Sequence, residues 1–225
     1  MSLSSIYHRW RNRLATYRER LEFNGSGRRQ YADYDQYLDH QVSKLNGHEV
    51  EFANRFERRT EKFRKRFATL KKDLDFQGPV LCLGARLGEE VLAFRNCGFT
   101  ATGVDLNPGV GNPYVIKGDF HALPFAANEF ATAYSNVLDH VLDLDVFLEE
   151  AQRVTSGHII FDITGGYEET GRIDPYGALI WPTNEELLKR INAVLGEPVY
   201  NVAHSPTHRC VAWKRPITKQ EGRAS

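Results

Sequence analysis

The stretch VLCLGARLGEEVLAFRNCGFTATGVDL, residues 80–106, decides the fold. It contains a short apolar run, a segment with apolar residues at helical spacing, and a second apolar run that ends near Asp105. Apolar runs that alternate with helical segments are typical of a parallel sheet whose faces are covered by helices. The segment from Gly84 to Gly88 separates the first strand from the helix, and its small residues allow backbone N–H groups to approach a ligand closely.

The same alternation continues towards the carboxyl end of the chain. The runs PYVIKGDF, EFATAYSNV and HIIFDI predict strands, and LDLDVFLEEAQRVTSG and TNEELLKRINAVLG predict amphipathic helices. Two final runs flank Ser205-Pro206-Thr207 and predict an antiparallel hairpin. We therefore expect an α/β fold with a mostly parallel, Rossmann-like sheet. The connection 107–113 is too short for a crossover helix, so either it crosses as a tight loop or the second and third strands are arranged differently.

The first 75 residues differ from the rest in charge and pattern. They carry 17 basic and 11 acidic side chains against 12 and 18 in the remainder, so a formal net charge of zero conceals two oppositely charged parts. Helical spacing extends over Arg9–Phe23 and Val50–Leu74, with YADYDQYLDHQVSKL as a third helical segment between them. We predict an N-terminal helical cap at 1–75 that packs on a domain at 76–217, followed by a flexible tail at 218–225.

The composition excludes several protein classes. The apolar fraction of 41% is enough for a core without disulfides or metals, and the three cysteines stand at spacings typical of neither. No apolar run is long enough to span a membrane, and the start of the chain lacks the apolar core of a signal peptide. We expect a cytoplasmic protein with no bound metal and no membrane partner.

Two acidic residues follow neighbouring predicted strands. Asp105 ends the second strand, where a carboxylate can accept both hydroxyls of a ribose, and Asp119 follows the third, where it could read an adenine edge. Ligands of open parallel sheets bind at the carboxyl ends of the strands. A nicotinamide dehydrogenase prefers a glycine where Arg86 stands, so that class fits the loop less well. The pattern predicts a nucleotide cofactor.

These residues resemble the class I S-adenosylmethionine-dependent methyltransferases, in particular the methyltransferase type 11 kind. The resemblance covers roughly residues 79–163 and rests on the stretches VLCLGARLGEEVLAFRNCGFTATGVDLNPG, GDFHALPFAANEFATAYSNVLDHV and FLEEAQRVTSGHIIFDI. It implies S-adenosylmethionine as cofactor and S-adenosylhomocysteine as product. The residues that the resemblance assigns to the cofactor are Gly84, Ala85, Arg86 and Gly88 for the methionine part, Asp105 for the ribose, Leu106, Asp119 and Phe120 for the adenine, and Ser135 and Asn136 beside the sulfonium.

Two positions depart from the family pattern. Cys82 stands where the family usually has an acid that fixes the loop, or the amino group of the cofactor through water. Arg86 stands where the family usually has a glycine, and it can either pair with the carboxylate of the cofactor or obstruct the pocket. The departures keep open a non-catalytic binding protein with the same fold.

Two residues are candidates for the chemistry. Methyl transfer from a sulfonium depends on alignment, and a hydroxyl acceptor also benefits from a base. His140 follows the fourth strand, and because imidazole titrates near neutrality we predict it as the base. Its alternative role is to cap the next helix or only to line the pocket. Asp162, at the end of the fifth strand, could orient a base or bind a metal, with loop capping as the alternative.

Two segments carry aromatic and polar residues that suit a sugar-like acceptor or an anion. The candidate acceptor-binding residues are Tyr167, Arg172, Tyr176 and Trp181 in the loop 164–183, and Tyr34, Tyr37 and His40 in the cap. Ordinary packing is the alternative for both sets. We expect O-methylation of a small-molecule or carbohydrate hydroxyl. The other enzyme class is an RNA or nucleotide methyltransferase whose basic cap binds phosphates. The acidic residues interleaved with the basic ones in the cap argue against it.

Overall fold

The computed structural model describes residue 23 and the segments 27–45 and 48–215. Most of the helix predicted over Arg9–Phe23, and the tail predicted at 218–225, lie outside this part. Within the described residues two helices precede the sheet, α1 (Tyr34–Ser43) and α2 (Glu49–Asp73), and the sequence predicts both. No helix in these segments is both long and apolar enough to cross a lipid bilayer.

The segments after α2 form a sheet covered by helices. The strands are β1 (Val80–Leu83), β2 (Ala101–Asp105), β3 (Val115–Lys117), β4 (Phe130–Ser135), β5 (Thr155–Thr164), β6 (Tyr200–Ser205) and β7 (His208–Lys214). The helices among them are α3 (Glu89–Asn96), α4 (Leu144–Val154), α5 (Tyr167–Thr170) and α6 (Asn184–Leu195), with a 3₁₀ helix at Leu138–His140. The strand order is β3-β2-β1-β4-β5-β7-β6; β1 to β5 run parallel and β7 runs antiparallel to both neighbours. The expected fold class is confirmed.

The short connection between β2 and β3 crosses as a tight loop, the first of the two arrangements that the sequence allowed. Asn112 stabilises it from within: its amide nitrogen donates to the carbonyl of Pro108 at 2.7 Å, and its amide oxygen accepts from the backbone N–H of Tyr114 at 2.8 Å. An asparagine that bonds to the backbone near it in this way stabilises a turn.

The core lies on both faces of the sheet. One face carries a large apolar cluster with residues of α4 and α6, and the other carries a cluster that includes α2 and α3. In the second cluster the ring of Phe67 on α2 stacks on that of Phe94 on α3 at 3.7 Å between centroids and meets Tyr134 edge-on at 4.9 Å. The apolar stripe of α2 therefore buries itself against the sheet, as the sequence predicted.

The segment before α1 holds the loop that follows β5. The N–H of Arg29 donates to the carbonyl of Ala178, and the N–H of Ile180 donates to the carbonyl of Gly27, each at 2.8 Å. The guanidinium of Arg29 also donates to the carbonyl of Gly177 at 2.7 Å. Two segments that sequence analysis treated separately therefore form one cover above the carboxyl edge of the sheet.

Candidate active site

The loop after β1 has the backbone geometry that its glycines permit. Gly84 and Gly88 have φ angles of 72° and 91°, and a Cβ atom at Gly84 would overlap Val137, so glycine is required there. Arg86 also has a positive φ, 41°. Its guanidinium lies 4.5 Å from the centroid of the Phe52 ring on α2, so the aromatic face holds the charge.

Asp105 fixes this loop from the end of β2. One carboxylate oxygen accepts from the backbone N–H of Arg86 at 2.8 Å, and the other accepts from that of Asn107 at 2.8 Å. A carboxylate oxygen can accept more than one hydrogen bond, so both oxygens keep capacity for a ligand.

Asp119 is held by the cap and by its own loop. The Tyr34 hydroxyl donates to Oδ2 at 2.6 Å, and the backbone N–H of His121 donates to Oδ1 at 2.8 Å. Burial raises the pKa of Asp119, but the hydrogen bonds from His121 and Tyr34 outweigh it and lower the pKa below its ordinary value. Asp119 is therefore a stable anion that already has a partner in the cap.

A narrow cavity of about 40 Å³ lies between the cap and the loop after β1. It brings together several of the predicted cofactor residues with side chains of α1 and its C-terminal flank; the lining residues are Gln41, Lys44, Gly84, Arg86, Asp105, Leu106, Phe120, Val137 and His140. The predicted residues Ala85, Gly88, Asp119, Ser135 and Asn136 do not line it. Small-molecule pockets are usually about 300–1,000 Å³, so a nucleotide requires the cap to move away.

Glu90 lies in the first turn of α3, two residues after Gly88, and does not line this cavity; its sequence pattern did not mark it as a site residue. It is 4% exposed, and its Oε1 accepts from the amide of Asn136 at 2.9 Å. Its Oε2 is buried without a hydrogen-bond partner among the described residues. Burial and the neighbouring Glu89 raise the pKa of Glu90 to about 7. The signal in the sequence was a pair of acids in the first turn of α3, which is common at helix starts and is not specific.

His140 has both ring nitrogens engaged. Nδ1 lies 3.1 Å from the carbonyl oxygen of Tyr176, and Nε2 lies 2.6 Å from Nζ of Lys44. Because the carbonyl only accepts, Nδ1 of the neutral ring carries the proton and Nε2 is the basic nitrogen. Lys44, also missed by sequence analysis, lies 3.8 Å from Asp174; burial lowers its pKa, and Asp174 opposes that shift.

The candidate residues of the cap, Tyr34, Tyr37 and His40, line neither the narrow cavity nor the cavity under the loop after β5. Tyr37 is fully buried, and its hydroxyl donates to the backbone carbonyl of His140 at 3.1 Å. The ring of His40 stacks on that of Tyr176 at 5.3 Å between centroids, and His40 Nδ1 lies 2.8 Å from the Tyr31 hydroxyl. These contacts join α1 to the loop after β5.

A second cavity, of about 370 Å³, lies under that loop. Tyr167, Arg172 and Trp181 line it together with Asp139 and Asp174, whereas Tyr176 does not. Trp181 is 6% exposed, and its indole N–H has no hydrogen-bond partner among the described residues. A buried donor without a partner is costly unless a ligand or water satisfies it.

Asp162 lies elsewhere. It points to the face of the sheet that α2 covers, where Arg66 donates to Oδ2 and the Tyr134 hydroxyl donates to the same oxygen at 2.7 Å. It lines neither of the two cavities. Asp162 lies in β5, two residues before the strand ends at Thr164, and not at the end itself as expected. Its side chain points away from the candidate active site.

In the part of the chain that the structure describes, two groups of side chains lie close enough together to hold a cation. They are Asp162, His204 and Cys210, and Asp139, His140 and Asp174. A basic side chain already contacts each group, Arg66 in the first and Lys44 in the second. The expectation that no metal binds stays a prediction.

Comparison with known proteins supports a methyltransferase. Residues 81–161 match the family profile described as "Methyltransferase domain". No curated protein sequence matches the chain significantly.

Solved structures share the fold at low sequence identity. The 1,6-didemethyltoxoflavin N1-methyltransferase of Burkholderia thailandensis, solved with 1,6-didemethyltoxoflavin and S-adenosylhomocysteine, is 16% identical with a TM-score of 0.62, covering 83% of this chain and 92% of that one. A possible histamine N-methyltransferase of Thermotoga maritima is 16% identical with a TM-score of 0.53, covering 74% and 97%. The geranyl diphosphate C-methyltransferase of Streptomyces coelicolor is 15% identical with a TM-score of 0.52, covering 68% and 79%.

The family match runs from β1 into β5 and includes the glycine loop, Asp105 and Asp119. The family match over residues 81–161 and the shared fold therefore support a class I methyltransferase that uses S-adenosylmethionine as cofactor.

Proposed function

We propose that this chain methylates a hydroxyl of a small, carbohydrate-like acceptor. The observation that carries the proposal is the position of the 3₁₀ helix 138–140: His140 lines the cofactor cavity, and Asp139 lines the larger cavity under the loop after β5. This helix therefore contributes one residue to each of the two cavities. A base on this helix is within reach of an acceptor that approaches the cofactor.

Side chains of the described site suit the parts of S-adenosylmethionine. The Asp105 carboxylate would hold the ribose, Asp119 the amine of the adenine, and the backbone of the Gly84 loop the methionine part. When bound, the cofactor supplies an electrophilic methyl group on a positively charged sulfur. The cap would first move away from the narrow cavity, and we place its boundary near residue 75 because α2 ends at Asp73.

His140 would take the proton of the acceptor hydroxyl at Nε2. In the closed cap Lys44 contacts this nitrogen, so displacement of Lys44 would free it for the acceptor. The Tyr176 carbonyl keeps the proton on Nδ1 and thereby keeps the basic nitrogen on the other side of the ring.

The acceptor class rests on the larger cavity. Its lining combines the apolar faces of Tyr167 and Trp181 with the charges of Arg172 and Asp174. The indole N–H of Trp181 has no hydrogen-bond partner among the described residues, so it would be available to an oxygen of the acceptor. Flat apolar faces beside hydrogen-bonding groups suit a sugar ring or another hydroxylated small molecule.

The test is an acceptor screen that begins with sugars and glycosides. The protein is incubated with S-adenosylmethionine carrying a ¹³C-labelled methyl group, and NMR then distinguishes methyl groups on oxygen, nitrogen and carbon. His140→Asn should lower kcat about 10²–10⁴-fold with little change in S-adenosylhomocysteine affinity. His204→Asn, on the exposed face of β6, is the matched control. A product methylated on nitrogen or carbon, or an unchanged kcat in His140→Asn, would overturn the proposal.

A non-catalytic binding protein is the second candidate, and the small volume of the cofactor cavity favours it. Calorimetric titration with S-adenosylmethionine and S-adenosylhomocysteine separates the two candidates. Micromolar binding of both supports the enzyme, and absence of binding by the full chain supports the second candidate.

A further inference from the structure

β1 lacks the carboxylate that class I methyltransferases usually have in this strand, just before the glycine loop. Cys82 stands there, its side chain is buried, and burial raises the pKa of its thiol well above the ordinary value. A neutral thiol cannot balance the positive charge of the α-amino group in the methionine part of the cofactor. A site for that group therefore needs another anion near the same strand end.

Glu90 supplies a carboxyl group at that place. It belongs to the first turn of α3, which begins directly after the glycine loop, and its Oε1 accepts from Asn136, which follows β4. Because β1 and β4 are neighbours in the sheet, this contact holds the carboxyl group between their carboxyl ends. Electrostatic coupling between Glu90 and Cys82 agrees with that position.

The second oxygen of Glu90 has no use within the described protein. Oε2 is buried and without a hydrogen-bond partner among these residues, whereas the adjacent Glu89 is paired with Arg59 at 2.9 Å. An unsatisfied carboxyl oxygen in a buried site costs free energy that a bound cation with N–H donors would recover. Glu89 and Glu90 are adjacent and of the same residue type, but only the charge of Glu89 is compensated by a basic side chain.

We propose that Glu90 receives the α-amino group of the cofactor and replaces the acid that is missing at Cys82. The proposal rests on the proposed cofactor binding. Asn136 holds Oε1 and leaves Oε2 for the ammonium group. The other titratable groups near Glu90 are Glu89, Arg59, Cys82 and Tyr134. Among them only Arg59 is cationic, and it is engaged by Glu89.

The test compares two ligands that differ in one group. The first is S-adenosylhomocysteine, and the second is its desamino analogue, in which hydrogen replaces the α-amino group. Calorimetry of the full chain should show at least tenfold tighter binding of the first, about 1.4 kcal/mol. In Glu90→Gln this preference should fall to about twofold, through weaker binding of S-adenosylhomocysteine and unchanged binding of the analogue. The ligand pair also tests the wild-type chain without any substitution.

Glu89→Gln is the matched control, since it removes a buried charge one residue away and should keep the preference for the amino group. Equal loss in both variants, or an unchanged preference in Glu90→Gln, overturns the role of Glu90 while leaving cofactor binding intact. If the wild-type chain binds neither ligand, the proposed function itself fails, and this inference fails with it.

Discussion

The hydroxyl of Tyr34 donates a hydrogen bond to Asp119 Oδ2 at 2.6 Å, across 85 residues of sequence. The contact joins α1 of the cap to the carboxylate that follows β3. Asp119 is the residue to which the family resemblance assigns the adenine amine. In this structure, therefore, a side chain of the cap already contacts the carboxylate that is proposed to bind the adenine.

Tyr34→Phe should strengthen the binding of S-adenosylhomocysteine about threefold. The reason is that the adenine amine would no longer compete with the Tyr34 hydroxyl for the Asp119 carboxylate. It should also lower the free energy of unfolding by about 1 kcal/mol, as expected for one partly exposed hydrogen bond to a charged group. Calorimetry and urea unfolding measure the two effects. Tyr31→Phe, which removes a cap hydroxyl that contacts His40, is the control. Weaker binding in Tyr34→Phe would instead place Tyr34 in the adenine pocket.

Asp105→Ala should weaken S-adenosylhomocysteine at least 100-fold. The substitution removes the proposed ribose acceptor and also the oxygens that hold the backbone N–H groups of Arg86 and Asn107. Calorimetric titration checks the loss, with the exposed Asp145→Ala as the control for a change in net charge. Full binding by the Asp105 variant would contradict the assignment of the cofactor site.

Glu90 makes the stability of the ligand-free protein depend on pH. Its pKa of about 7 in the folded protein is raised above the ordinary 4.5, so its contribution is most favourable below pH 4.5 and is lost as the pH rises through 7. Glu90→Gln should therefore be more stable than the wild type above pH 8, by about 3 kcal/mol at most. Urea unfolding at pH 5 and pH 8.5 measures the difference, which should shrink at the lower pH. A variant that is less stable at pH 8.5 would show that the Glu90 carboxylate is compensated inside the protein.

The ion pair between Arg66 and Asp162 should stabilise the folded protein. Asp162→Asn would leave the half-buried Arg66 without its anion and should lower the free energy of unfolding by about 3 kcal/mol. The double variant Arg66→Met with Asp162→Leu should recover most of that loss, since it removes both charges together. Urea unfolding gives both values. If Asp162→Asn lost methyl transfer but kept its stability, the predicted catalytic role of Asp162 would stand instead.

The sequence by itself determined the order of the elements and the residues at the strand ends. Apolar runs that alternate with helical segments lead to a parallel sheet, and the carboxyl ends of parallel strands meet at one edge. Asp105 and the glycine loop therefore lie together as expected, and Asp119 follows β3 beside them. The hairpin at Ser205-Pro206-Thr207 could also be predicted from the sequence, because turn residues separate two apolar runs.

The tertiary structure alone decided which side chains complete the site. A strand buried on both faces gives no alternation to show where a polar residue points, so the sequence could not place Asp162 under α2. Contacts such as Tyr34 with Asp119 and Lys44 with His140 join residues far apart in the chain, and no local pattern encodes them. Glu89 and Glu90 are adjacent glutamates, and only their tertiary contacts distinguish them: Glu89 pairs with Arg59, whereas one oxygen of Glu90 has no partner among the described residues. Local periodicity determines the elements, but burial and partners depend on how those elements pack.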